Sequence, residues 1–163
     1  MNKVKWLGTL FVLSMSLGAW ADQNTATITV NVTINATPCK INNNQNIDVD
    51  FGDSVITTDV AKGVVEKDIA YTLDCTNADQ NEALAMSIKG TGADFNADVL
   101  KTSIPELGIN LKADGIDYPL NTELALANSP SKPNLKAVLV QQSGKHLPTG
   151  IFTAGATMTV DYQ

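Results

Sequence analysis

"TATITVNVTINATPC", Thr25 to Cys39, alternates with unusual strictness: Ala26, Ile28, Val30, Val32 and Ile34 are apolar, and Thr27, Thr29, Asn31 and Thr33 between them are polar. A β-strand rises about 3.3 Å per residue and turns successive side chains to opposite faces, so the stretch reads as a rod roughly 30 Å long with five apolar groups on one side. What that face is buried against is the question the rest of the chain has to answer, because the strand precedes the first cysteine.

The residues before it read as a leader. Lys3 and Lys5 form a positive start, "WLGTLFVLSMSLGAW" an apolar middle, and Ala19-Trp20-Ala21 a small-x-small cleavage signal, so residues 1–21 are expected to be removed as a secretory signal peptide. The apolar part is too short for a good membrane span, and nothing later is long and apolar enough to be one. Taking 21 residues from 163 leaves 142, which suits one domain with its own core. The leader carries two lysines away, leaving nine basic against 17 acidic side chains, a formal charge of −8, and there is no arginine. Nucleic acid and anionic membrane surfaces are therefore not expected as partners. Both tryptophans, Trp6 and Trp20, leave with the leader as well.

Cys39 and Cys75 in an exported chain most simply pair with each other, in an oxidising compartment; two unpaired buried thiols are the alternative. Closing a loop of that length stabilises by about 4 kcal/mol in the chain-entropy picture.

Beyond Cys39, short alternating or apolar runs predict strands at Ile47–Phe51, Lys67–Asp74, Leu84–Lys89, Leu107–Lys112, Leu135–Gln142 and Thr153–Tyr162. Gly52-Asp53, Asn77-Ala78-Asp79, Gly90-Thr91-Gly92 and Asp114-Gly115 punctuate them, and Asn128 to Asn134 is a loop. A short helix is expected at Asn121–Ala127. Short, evenly spaced strands with almost no helical periodicity predict an all-β sandwich of antiparallel sheets.

The closing segment "GIFTAGATMTVDYQ" alternates again, with Ala154, Ala156, Met158, Val160 and Tyr162 on one side and Thr153, Thr157, Thr159 and Asp161 on the other. In an immunoglobulin-type sandwich of about seven strands, a further strand normally pairs beside such a segment, and none follows here. The expectation is an incomplete immunoglobulin-like sandwich lacking its last strand, with an open groove in its core. A spare apolar strand at one end complements a missing one at the other.

At these residues the sequence resembles the pilin subunits of the chaperone-usher pathway in Gram-negative bacteria. The resemblance spans the mature chain. It rests on the alternating extension running into Pro38-Cys39, the second cysteine closing "IAYTLDC", the segment "VDFGDSV" (Val49 to Val55), and the C-terminal pattern Gly150, Phe152, Ala154, Ala156, Met158, Val160, Tyr162. It implies residues 22–36 as an N-terminal donor-strand extension and 37–163 as the pilin domain. It further implies that Ala26, Ile28, Val30, Val32 and Ile34 fill pockets in a neighbouring subunit, and that Phe152 to Tyr162 walls the acceptor groove. The carboxylate of Gln163 would be held by basic residues of a periplasmic chaperone. The implied partners are that chaperone, an outer-membrane usher and neighbouring pilin subunits, alike or different. The implied location is the periplasm and then the cell-surface fimbrium, with a role in adhesion. Such extensions commonly carry a glycine at one inward position; Val32 stands there here. Burying four aliphatic side chains and an alanine releases on the order of 7 to 12 kcal/mol before ordering costs.

Other readings are weaker. Thr25–Ile34 could be the first strand of a complete sandwich. The single histidine, His146, lies in the turn-like "GKHLPTG" with Ser143 nearby, and no motif announces a catalytic triad. Asp48, Asp50 and Asp53 lack the spacing and closing glutamate of a calcium loop. No cofactor, metal or enzymatic activity is expected. A subunit that itself binds a host receptor or carbohydrate is the functional alternative, although the mature chain has no tryptophan platform and no length for a separate receptor-binding domain.

Deleting Asp22 to Ala36 separates an exported strand from a resident one. The urea midpoint of the remaining domain is expected to stay where it was; loss of cooperative unfolding would place the strand in its own core.

Overall fold

Alternation and turn chemistry translate into short antiparallel strands arranged in layers. The structure is a computed structural model that describes residues 38–79, 81–126 and 132–163. The leader and the Thr25–Ile34 strand anticipated above lie outside the described residues. In chain order the elements are β1 (Lys40–Ile41), α1 (Thr57–Ala61), β2 (Glu66–Asp68), β3 (Leu73–Asp74), β4 (Leu84–Gly90), β5 (Gly92–Ala93), β6 (Asn96–Lys101), β7 (Leu107–Ala113), β8 (Ile116–Asp117), β9 (Glu123–Leu126), β10 (Leu135–Gln141) and β11 (Ala156–Tyr162).

The wider sheet has the order β2-β10-β7-β6-β5, with β8 folded back on β7. Its centre is the seven-pair register of β10 on β7, from Leu135 opposite Ala113 to Gln141 opposite Leu107. Buried Leu107, Ile109, Leu111 and Ala113 share one face with buried Leu135, Ala137 and Leu139. Large residues there sit beside small ones, Leu135 by Ala113 and Leu111 by Ala137, which keeps the layer evenly filled. Asp114 and Gly115, at φ +50° and +83°, make the tight turn that the right-handed strand twist of the β7–β8 hairpin favours.

The second sheet has the order β11-β4-β9. Its middle strand is buried from Ala85 to Ile88, and Met86 is fully enclosed. Met86, Ile88 and Val160 from this sheet join Leu107, Ile109, Leu111 and Leu139 from the other in one hydrophobic cluster. A third pairing, β1 with β3, is clamped by the Cys39–Cys75 disulfide. Buried hydroxyls are satisfied. Tyr118 donates to the Met86 carbonyl at 2.8 Å, Tyr71 to the Pro133 carbonyl at 2.7 Å, and Thr102 to the Leu107 carbonyl at 2.9 Å.

Four expectations change. Residues 121–127 were expected to be helical, yet Glu123–Leu126 is a strand, pairing with β4 from Leu84–Leu126 to Ser87–Glu123. Glu-Leu-Ala-Leu is helix-prone, but four residues are too few to hold a helix against an available sheet edge. The single strand expected over Lys67–Asp74 is two, because the chain leaves the wide sheet after Asp68 and joins β1 at Leu73. Ile47–Phe51 keeps its alternation, half-buried at Ile47, Val49 and Phe51 and exposed at Asp48 and Asp50, but forms no ladder. The ladder of the final segment begins at Ala156, with Ala154 bridging Thr102.

Burial pushes the Tyr71 phenol up to about 12, with the Asp114 charge and Tyr118 adding to the effect. The unfolded phenol ionises near pH 10, so this contribution to stability is intact below pH 10 and is lost as pH rises towards 12. Tyr71→Phe is expected to cost on the order of 1 kcal/mol at neutral pH, from the lost hydrogen bond, and to lessen the alkaline decline. Urea unfolding at several alkaline pH values, with tyrosinate absorbance alongside, measures both.

Candidate docking cleft

Between the two sheets the core does not close. A cleft of about 1640 Å³ opens there, larger than the few hundred to one thousand cubic ångströms typical of small-molecule sites. Its floor is apolar and comes from both layers: Ile88 of β4, Leu100 of β6, Ile109 of β7 and Leu139 of β10. One wall is the ladderless extended segment with Ile47, Val49 and Phe51; the other is the run from Leu147 into β11.

The β11 wall is where the exposure pattern departs from that of an ordinary strand. Its outer edge has no ladder partner among the described residues, since β11 ends its sheet beside β4. Along the face that alternation assigns to the core, Val160 is buried, Met158 is half-buried, and Ala156 and Ala154 are exposed. The opposite face is tied down, with the Thr159 and Ser87 hydroxyls 2.9 Å apart. An apolar strand edge held in this way is a template for another strand.

The two ends of the cleft differ. At one end Phe51 and Phe152 meet across the walls, ring centroids 6.0 Å apart and tilted by 51°, and Ile151 beside them is 95% exposed. There the Thr153 carbonyl accepts from the Ser103 N–H at 2.9 Å, linking this wall to the end of β6. At the other end the Tyr162 hydroxyl accepts from the Asp79 N–H at 2.9 Å, and the Gln163 N–H donates to the Ala83 carbonyl. The charged side chains lining the cleft are all acidic: Asp48, Asp50, Asp53 and Asp161.

Of the residues singled out in the sequence, Gly150, Phe152, Ala154, Ala156, Met158 and Val160 line the cleft. Tyr162 and Gln163 lie past its lining, at the end just described. Ala26, Ile28, Val30, Val32 and Ile34 lie outside the described residues. The second wall and the floor were not picked out from the sequence; the alternation at Ile47–Phe51 was visible, but not its lack of a ladder. Ser143 and His146 are both exposed, Ser143 in a turn and His146 just past it. Among the described residues no three His, Cys, Asp or Glu side chains gather as a metal site.

The comparisons with known proteins agree with this architecture. PapA, the rod subunit of the P pilus, shares the fold at a TM-score of 0.57 and 20% identity, covering 84% of this chain and all of that one. A subunit of a chaperone-usher pilus aligns at 0.54 and 22%, covering 86% and 97%. The fimbrial-like protein YfcQ of Escherichia coli (strain K12) is 34% identical over 160 residues, 95% of this chain and 96% of its own length. With the fimbrial protein family model also matching residues 27–163, the chain belongs to the fimbrial protein family.

Proposed function

We propose that this chain is a structural, non-enzymatic subunit of a bacterial surface fimbria that assembles by taking a foreign strand into the cleft beside β11. A periplasmic chaperone occupies the cleft first. At the outer-membrane usher, the N-terminal extension of a neighbouring subunit replaces it. The finished polymer serves adhesion at the cell surface of a Gram-negative bacterium. One observation carries this reading: an edge strand whose core-side face is exposed at Ala154 and Ala156 onto an apolar floor. An added strand satisfies the open backbone edge and covers the floor together, which is binding by strand addition. The pilus origin of PapA and of the chaperone-usher subunit supports the same reading.

Ala156→Asp tests it. Ala156 is exposed in the free subunit, so stability is expected to change by less than about 0.5 kcal/mol. Strand uptake would bury the new carboxylate unpaired, which costs several kcal/mol, so capture by the co-expressed chaperone is expected to fall more than about 100-fold. Pull-down from periplasm measures it. Equal capture of variant and parent, or a parent chain that is a protease-resistant monomer indifferent to chaperone, would falsify the proposal.

A further inference from the structure

Residues 22–163 hold few side chains that a mild oxidant attacks. Both tryptophans, Met1 and Met15 belong to the first 21 residues, so the sulfur atoms beyond them are those of Cys39, Cys75, Met86 and Met158. The two cysteines are joined to each other, and among the described residues no cysteine is free. Two thioethers remain. A thioether is soft and polarisable, and it oxidises to the sulfoxide wherever an oxidant reaches it.

The fold treats the two methionines in opposite ways. Met86, in the middle of β4, has no exposed surface and is enclosed in the hydrophobic core. Met158 lies on the neighbouring β11, opposite Ile88 and two residues before Val160, which is opposite Met86. It is half-buried, packs against the edge of the core and lines the cleft. Met158 thus stands where the core-side face of β11 changes from exposed Ala156 to buried Val160. Hydrogen peroxide is small and uncharged at neutral pH, so neither the width of the cleft nor its acidic lining keeps it out.

The chemistry closes without a further reactant. The thioether sulfur attacks one oxygen of the peroxide, the O–O bond breaks as an S–O bond forms, and the second oxygen leaves as water with both protons. Sulfur gives up two electrons and the peroxide takes them. The product is polar, and its oxygen accepts hydrogen bonds that the thioether does not need. In the open cleft solvent supplies them. A strand laid beside β11 takes that solvent away, and the floor of Ile88, Leu100, Ile109 and Leu139 has no side-chain donor to replace it.

Resting on the reading that the cleft takes a strand, we propose that Met158 is a modification site, oxidised by peroxide to the sulfoxide, and that this oxidation bars strand uptake while the fold stands. Sulfoxide reductases return the thioether, so the block is reversible. It acts on the free subunit, because a seated strand shields Met158 from the oxidant.

The test exposes the full mature chain to graded hydrogen peroxide and follows each methionine by peptide mass spectrometry. Met158 is expected to oxidise at least about tenfold faster than Met86, in line with their exposure. Equal rates overturn the site. Capture by the co-expressed chaperone is expected to fall about tenfold in the oxidised chain and to return after treatment with sulfoxide reductases and dithiothreitol. Unchanged capture overturns the block. Met158→Leu, a volume-conserving exchange, is expected to keep its capture after the same peroxide treatment; equal loss in variant and parent overturns the role of Met158. Urea unfolding is read in the same samples. Loss of cooperative unfolding after oxidation also overturns the proposal, since the modification would then act on the fold and not on the cleft. An untreated parent that no chaperone captures removes the strand-taking cleft and with it the block, whereas the ratio of the two oxidation rates still decides the site.

Discussion

The outer edge of β11 is the constraint from which the other features of this molecule follow. A strand in a sandwich normally satisfies one edge with each neighbour and one face with the opposite sheet. β11 has β4 on one side only among the described residues, and its core-side face is packed at Val160, half-covered at Met158 and exposed at Ala156 beside the cleft. Leaving apolar surface in water costs about 25 cal/mol per Å², so the open interior is also a store of binding free energy. On the proposed reading, the same incompleteness is what an added strand would relieve.

Such a cleft has to stay open, and the surrounding contacts are suited to that. The floor is held by the seven-pair β7–β10 ladder, and the two layers are tied by the Tyr118 hydroxyl on the Met86 carbonyl. The Phe51–Phe152 contact joins the walls at one end, and the disulfide fixes β1 against the turn that follows β3. At Gly92, where β5 bulges against β6, a side chain would meet the Ala97 backbone at 2.6 Å, so the chain's passage between sheets depends on glycine there. These contacts brace the ends and the floor and leave the run from Ala154 to Thr157 exposed. The acidic lining would disfavour a carboxylate-bearing strand, which would meet like charge there.

The fold is shared with pilus subunits at 20 to 22% identity, whereas the relative YfcQ is 34% identical along nearly the whole length. Both facts fit an architecture that depends on pattern more than on particular residues. A sandwich of this kind needs period-two apolar faces and turns where Asp114-Gly115 and Gly90-Thr91-Gly92 stand, and here the Cys39–Cys75 disulfide adds a cross-link. Many side chains satisfy the remainder, as cores tolerate hydrophobic substitution when volume and pattern are kept.

Alternation and punctuation made β4, β7, β10 and most of β11 legible to within a residue or so at most ends, because a half-buried strand writes its period into the text. The same period marked Ala154 to Val160 as a face seeking cover, and two cysteines in a chain read as exported favoured the disulfide. Only the tertiary structure decided that Glu123–Leu126 is a strand, since four helix-prone residues take the state their neighbour imposes. It likewise decided that Ile47–Phe51 has no ladder. A period records which side chains face inward, but not whether a second backbone lies within hydrogen-bonding distance. The floor, too, assembles from β4, β6, β7 and β10, residues as far apart in sequence as Ile88 and Leu139, and proximity of that kind is a property of the folded chain.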